Sequence, residues 1–349
     1  LIKALKKVAR AIEKFHKKQL RREWLVQVAP GVKAGELVRP LKSVGLYVPG
    51  GRASYPSTLL MAAIPAKLAG VKKIIVCTPP RSDGKLLPAV LAAAEITGVK
   101  EIYKVGGAQA IAAMAYGTET VPKVEKIVGP GNVYVAAAKQ VVAPDVEIDS
   151  IAGPSEVMIL ADDSANPKFI AADLVAQAEH DPEAAAVLVT SSEKLAREVR
   201  EEARKMVRAT PRWQIVLKSF TRYSRIIIVK DIEEGIWFAN EYAPEHLELM
   251  VEDPREVLGK INNAGAIFLG DYSPVAAGDF AAGPNHILPT GGGARRVSGL
   301  SVLDFLKFPT VQEISKDGLR RLAKTIRVMA EAEDLPAHAK SVEVRLDEG

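Results

Sequence analysis

Cysteine is almost absent, with one residue, Cys77, in a chain of 349. A single thiol excludes an internal disulfide and suits a reducing compartment. It ends the apolar run Lys73-Ile-Ile-Val-Cys77, which reads as a buried strand, so it is read as a structural thiol and not a nucleophile. Aromatic residues make up only 5% of the chain. No apolar run is long enough to cross a membrane as a helix. The opening, Leu-Ile-Lys-Ala-Leu-Lys-Lys, lacks the apolar core of a secretory signal. A cytoplasmic protein with no membrane partner is expected. There is no low-complexity linker, and no G-x-G-x-x-G follows a predicted strand.

What is present is ordinary in bulk: 48% hydrophobic and 26% charged residues, the balance of a globular protein. A chain of this length exceeds one ordinary core, so two or more domains are expected. Net charge is +5, and the excess is local: residues 1–22 carry nine Lys or Arg against one acid, Glu13. Leu1, Ile2, Leu5, Val8, Ile12 and Phe15 recur at helical spacing, which predicts an amphipathic basic helix. The one aromatic within the run, Phe15, belongs to its apolar stripe and does not interleave with the basic residues, so the run is not read as a nucleic-acid site. Packing on its own domain or on a partner subunit is expected instead.

From residue 44 short apolar runs alternate with helical stretches. Residues 44–48, 73–78, 101–105, 126–128 and 146–148 read as strands, with helices over 56–69, 86–97, 108–116 and 133–142. The alternation then restarts, with strands at 156–161, 186–190, 225–229 and 266–270 and helices at 167–178, 193–208, 232–241 and 254–263. Such a pattern implies parallel sheets covered on both faces. The fold class is α/β, with two Rossmann-like parallel-sheet domains over 44–150 and 151–300. An N-terminal helical segment, 1–43, is expected to join the second of them. Residues 301–349 break the pattern and read as a small C-terminal segment, a loop-rich stretch followed by a helix from about residue 319 to 333.

Three glycine turns follow strands and precede helices: Gly50-Gly51, Gly106-Gly107-Ala-Gln-Ala110 and Gly129-Pro-Gly-Asn132. Glycine there lets backbone approach a ligand and leaves N–H groups facing an anion, beyond the carboxyl ends of strands. Tight strand–helix turns and phosphate binding fit these residues equally well.

Histidine is scarce too, five in all, yet four stand near a carboxylate or an amide. Gln177 and His180 are three apart on a predicted helix, so the two would share a face and reach one metal. Asp279 could add a carboxylate and His338 a second imidazole, a donor set suited to Zn²⁺ or a similar ion. Glu245-His246, after a proline, could supply a base and a group that orients it or activates water. The pattern reads as metal-assisted acid–base chemistry.

At these residues the chain resembles the histidinol dehydrogenase family. The resemblance runs from about Val44 to Val344. It is carried by VGLYVPGG (44–51), VGGAQA (105–110), GPGN (129–132), AGPSE (152–156), QAEH (177–180), YAPEH (242–246), Gly278-Asp279, GPNHILPT (283–290) and the stretch from Glu333 to His338. It implies oxidation of the amino alcohol L-histidinol to L-histidine in two NAD-dependent steps, the last of histidine biosynthesis, by a zinc-bearing homodimer. Gln177, His180, Asp279 and His338 then look like zinc ligands. His246 looks like the general base and Glu245 like the group that activates water. Ser155, His286 and Glu333, with the four zinc ligands, look like substrate contacts; Tyr47, Gln109 and Asn132 look like contacts to NAD. In that family the C-terminal segment reaches the partner subunit, so Glu333 and His338 would serve the other chain's site. Members usually carry a further N-terminal region ahead of the segment that begins here at Leu1, and that region helps to build the first domain and the dimer.

Other readings fit fewer residues. A relative oxidising another polar alcohol would not need the Glu333 carboxylate, which suits an ammonium group. A zinc hydrolase would not need the glycine turns, and a non-catalytic binding protein would not need both Glu245 and His246.

Overall fold

In the computed structural model, which describes residues 1–50, 55–150 and 153–347, the chain falls into two units. The larger comprises Leu1–Gln19 and Leu41–Phe305, the smaller Leu20–Pro40 and Leu306–Gly349. Gly51 of the first glycine turn and Ala152 of the AGPSE segment lie outside the described residues.

Two parallel five-stranded sheets organise the larger unit. The first contains β1 (Ser43–Tyr47), β2 (Lys73–Cys77), β3 (Glu101–Tyr103), β4 (Lys126–Val128) and β5 (Glu147–Ile148), in the order β3-β2-β1-β4-β5. The second contains β6 (Glu156–Ala161), β7 (Ala185–Thr190), β8 (Arg225–Ile228), β9 (His246–Met250) and β10 (Ala266–Leu269), in the order β8-β7-β6-β9-β10. The two orders are the same order repeated. Central strands are covered on both faces and are therefore continuously apolar: all six residues of β6 are buried. The α/β class with two parallel sheets is what the sequence predicts.

The crossovers are helical for local reasons. Helix α1 (Ile2–His16) carries the basic amphipathic pattern and packs against α2 (Pro56–Ala69) and α3 (Pro88–Thr97). Helix α2 opens on Pro56, whose missing N–H costs nothing in the first turn, and stops at Gly70 in the left-handed region. Helices α4 (Ala108–Tyr116) and α5 (Val133–Val142) follow β3 and β4. Helix α6 (Pro167–Ala178) is capped by Asn166, whose side chain accepts the Lys168 N–H. Beyond it lie α7 (Glu193–Ala209), α8 (Trp213–Arg222), α9 (Ile232–Tyr242) and α10 (Pro254–Leu258). After β10 a single turn, α11 (Val275–Ala277), runs into a wide turn over Gly278–Ala282.

The differences from the sequence reading have physical causes. The last predicted helix, 254–263, stops at Leu258 because Asn240 of α9 captures the chain beyond it. Asn240 donates to Lys260 O (2.9 Å) and accepts the Asn262 N–H (2.7 Å). Strand β9 is absent from the sequence reading, because Glu245, His246 and Glu248 give its run a polar look, yet all five of its residues are buried. Helix α8 is likewise unread. In the smaller unit Trp24–Ala29 and Val32–Glu36 form an antiparallel hairpin, and Thr310–Ile314 pairs with the second strand. Helices Lys316–Ala332 and Pro336–Asp347 complete it, where the sequence predicts one helix after a loop.

Candidate active site

The sharpest chemistry lies at the amino-terminal edge of the second sheet. His246 is the first residue of β9 and pairs in register with Val157 of β6, one step beyond Glu156. This puts the peptide of Glu156 between two side chains. Its N–H donates to Glu245 Oε2 (2.8 Å), and its carbonyl lies 3.0 Å from His246 Nδ1. A carbonyl only accepts, so Nδ1 carries the proton and Nε2 presents a bare lone pair. Nε2 has no hydrogen-bond partner and faces Asp279 Oδ1 at 3.8 Å. Glu245 and His246 are each 4% exposed. Burial lowers His246 to about 4, so the imidazole is neutral. Burial first, with the neighbouring Glu156 and Asp279 carboxyls, raises Glu245 well above the ordinary carboxylate range, against the pull of the Glu156 N–H and the Ser155 hydroxyl. Ser155 thus reaches the pair.

The wide turn after α11 brings Asp279 in beside it, and burial pushes this carboxyl up to about 6. His286 closes the group: its Nδ1 donates to the Asp279 carbonyl (3.1 Å) and its Nε2 lies 3.4 Å from Thr58 Oγ1 of α2. Burial lowers it to about 4, with a lesser push from His180. The sequence reading places Gln177 and His180 on one helix face, and the structure corrects this. Helix α6 ends at Ala178, and His180 lies just past its end, its N–H donating to Gln177 O (3.2 Å). Gln177 is buried with its Nε2 unpartnered. His180 is exposed at the open side of the group, and the protein packed around it lowers its proton affinity. The charges of His286 and His180 add to burial in lowering the proton affinity of His246.

Glu333 and His338 belong to the smaller unit, where Glu333 closes the helix Lys316–Ala332 and His338 lies in the first turn of Pro336–Asp347. Both are exposed.

No three His, Cys, Asp or Glu side chains among the described residues form a ready metal group. The set does fit a zinc-like cation in chemistry: a buried amide with an unsatisfied atom, an imidazole whose proton affinity is lowered, and a carboxyl whose proton affinity burial raises.

The glycine turns lie at the opposite kind of edge, the carboxyl ends of β1, β3 and β4. Tyr47 ends β1, is 4% exposed, and its hydroxyl accepts the Gly107 N–H (3.0 Å). Gly129, with φ of +123°, lets its chain pass where a Cβ would stand 2.1 Å from Tyr47 O. Below that turn the buried ammonium of Lys139 pairs with Asp149 and donates to Gly129 O (2.8 Å), while Asp149 accepts the Gly129 N–H (2.7 Å). Gln109 and Asn132 are exposed at the starts of α4 and α5. Asn132 caps its own helix, accepting from Tyr134 and Val135. The N-terminus of α4 has no side-chain cap, and a helix start of this kind favours an anion, the chemistry of a dinucleotide pyrophosphate. Cys77 is buried, with its thiol pushed up to about 12.

Sequence reasoning assigns no role to Glu156, although it stands in the AGPSE segment. Its backbone serves both members of the pair, and a backbone role leaves no mark on side-chain identity. Its carboxylate accepts from the Tyr242 hydroxyl (2.8 Å) and the Gly291 N–H (3.0 Å). Thr58, beside His286, is also unforeseen.

Comparison with known proteins gives the family. The family model described as histidinol dehydrogenase matches residues 1–346. The histidinol dehydrogenase of Methanothermobacter thermautotrophicus is 56% identical over 98% of this chain and 80% of its own length. That of Methanosarcina mazei is 52% identical over 99% of this chain and 80% of its own. The crystal structure of histidinol dehydrogenase from Elizabethkingia anophelis superposes with a TM-score of 0.96 at 45% identity, covering 99% of this chain and 80% of that one. The chain therefore belongs to the histidinol dehydrogenase family, enzymes of histidine biosynthesis and oxidoreductases by chemistry.

Proposed function

We propose that this chain oxidises L-histidinol through the aldehyde to L-histidine, in two steps that each transfer one hydride. The observation that supports it most is the fixed tautomer of His246. The Glu156 carbonyl holds the proton on Nδ1, and Nε2 is left bare and unpartnered in a buried site.

In the first step His246 Nε2 takes the hydroxyl proton as the carbon loses hydride. A neutral imidazole is the form required, and burial keeps it neutral. In the second step Glu245, as carboxylate, takes a proton from water, whose oxygen attacks the aldehyde carbon while His246 Nε2 returns its proton to the aldehyde oxygen, giving the hydrate and a neutral imidazole again. Its raised proton affinity makes it a stronger base than an ordinary carboxylate. His246 then takes a proton from the hydrate as the second hydride leaves. Ser155 and His286 are assigned to hold the substrate, and the Glu333 carboxylate to meet its ammonium group. Keeping the aldehyde in place between steps protects it from side reactions.

Gln177, His180, Asp279 and His338 are assigned to hold Zn²⁺, which when bound would orient the substrate's nitrogens. Tyr47, Gln109 and Asn132 are assigned to NAD, which when bound accepts the hydrides. Glu333 and His338 would complete the site of a partner subunit, making the enzyme a homodimer with shared sites, working in the cytoplasm. No helix among the described residues is long and apolar enough to cross a membrane.

NADH formed per L-histidinol consumed, with zinc-loaded protein and excess NAD, tests the whole reading. About two per substrate is expected from the two oxidations. One would show that the aldehyde escapes and that the second step is misassigned. None, from folded protein with zinc bound, would overturn the reading in favour of a hydrolase or a binding protein.

A further inference from the structure

A second pair of acids lies in the layer behind the candidate site. Glu248 stands two residues after His246 on β9, so the two side chains point to one face of the sheet. Asp173 stands four residues before Gln177 on α6, one turn back along the same side of the helix. Glu248 is 1% exposed. Its Oε1 accepts the Val275 N–H at 2.9 Å. Val275 opens α11, the single turn that delivers Asp279. Glu248 Oε2 meets no donor, and the carboxyl of Asp173 lies within hydrogen-bonding reach of the Glu248 carboxyl.

These two acceptors, Glu248 fully buried and Asp173 half-buried, lack a donor between them. The strands beside Glu248 supply none, since its partners in register are Ile159 and Phe268. Helix α11 is Val-Ala-Ala and carries no charge. Ile159, Val275, Ala171, Leu174 and Phe268 belong to one apolar cluster around the pair. A proton held between the carboxyls supplies the missing donor and removes one of two like charges.

We infer that Asp173 and Glu248 share one proton and together act as positioning residues, holding α6, β9 and the Asp279 turn in register behind the candidate site. Each of these elements carries one member of that site: Gln177, His246 and Asp279. The inference rests on the proposed reading of the site for its consequence in turnover, but the shared proton stands apart from it.

Burial, followed by the charge of Asp173, pushes Glu248 up to about 8, and burial pushes Asp173 up to about 6. The pair's contribution to stability is therefore present at lower pH and lost as pH rises through about 8. Above that point two carboxylates confront each other in an apolar layer, which drives α6 from β9 and spreads the site.

Infrared difference spectra of the full chain between about pH 6 and about pH 10 test the proton directly. Beyond the band of Glu245, which all three proteins share, wild type should show a further protonated-carboxyl component that fades with rising pH and is missing from both Glu248→Gln and Asp173→Asn. Identical bands in all three proteins would overturn the shared proton. The second reading is the pH profile of kcat/KM. Glu248→Gln keeps an acceptor for Val275 and brings its own N–H donor to Asp173, so its alkaline limb should move up by about one pH unit or more. Glu248→Leu, which loses both, should weaken zinc retention against a chelator by about tenfold or more at every pH. An unmoved limb in Glu248→Gln, or wild-type zinc retention in folded Glu248→Leu, would overturn the positioning role. The infrared result needs no substrate, metal or NAD. A band found as expected in a protein that does not oxidise histidinol would sink the functional reading alone, and a missing band in an active enzyme would sink this inference alone.

Discussion

Glu245→Gln should make the protein more stable and leave its reaction half finished. The carboxyl of Glu245 is buried, receives the Glu156 N–H and the Ser155 hydroxyl, and has two further carboxyls nearby. An amide of the same shape accepts the same two donors and offers an N–H₂ toward Glu156 and Asp279. Because the folded state raises the proton affinity of Glu245, its contribution to stability is full below about pH 4.5 and is lost as pH rises toward the folded value. Each pKa unit of that elevation costs ~1.4 kcal/mol once the carboxylate is forced to form. Glutamine never ionises, so the midpoint of thermal unfolding should lie above that of wild type, with a gap that widens as pH rises. Turnover should separate by step. The alcohol oxidation depends on His246 and should continue, whereas attack of water on the aldehyde should slow by ~10²–10⁴-fold, the usual worth of a general base. Stopped-flow NADH absorbance with excess NAD should then show one NADH per L-histidinol in the fast phase, with aldehyde trapped by a carbonyl reagent. Two NADH at the wild-type rate would refute Glu245 as the base for water. A midpoint falling below wild type at alkaline pH would refute the claim that burial disfavours its charge.

Three further outcomes follow from the same geometry. His246→Asn should lower turnover by ~10²–10⁴-fold with zinc content unchanged, as read by rate and metal analysis. Burial lowers His246 to about 4, so wild type loses stability as pH falls from about 6.5 toward about 4, and the variant's unfolding midpoint should lack that part of the slope. His180→Ala should lose zinc and activity together; unchanged metal content would remove His180 from the ligand set. Lys139→Met strands the buried Asp149 carboxylate and should cost ~3–5 kcal/mol in denaturant unfolding. Because the same ammonium braces the Gly129 turn, KM for NAD should rise more than kcat falls; an unchanged KM would detach that turn from the cofactor.

Much of this was open to reading because apolar runs and helix signals agree. Pro56 before an apolar stretch and Gly70 after it bound α2 in the sequence as they do in the structure. The continuous apolar runs of β2 and β6 announce buried parallel strands for the same reason. Reading fails where burial and polarity conflict. Strand β9 carries His246 and Glu248, both buried, and a periodicity argument expects such residues at the surface. The candidate site residues stand out as types and as family motifs, but the contacts among them do not. No spacing shows that one peptide, Glu156, binds both Glu245 and His246, since those bonds run across adjacent strands some ninety residues apart. The Asp173–Glu248 contact is hidden likewise, being long in sequence and short in space.

The repeated strand order has a consequence for engineering. The first sheet turns its carboxyl rim to the glycine turns and the second its amino rim to the acid–base pair. The carboxyl rim of the second sheet is left without an assigned task. Its exposed connection from Asp162 to Asn166 is therefore a natural place to graft a tag, a tether or a sensor peptide. On the proposed reading the two rims could also be re-tailored separately, one for a different nucleotide and the other for a different alcohol.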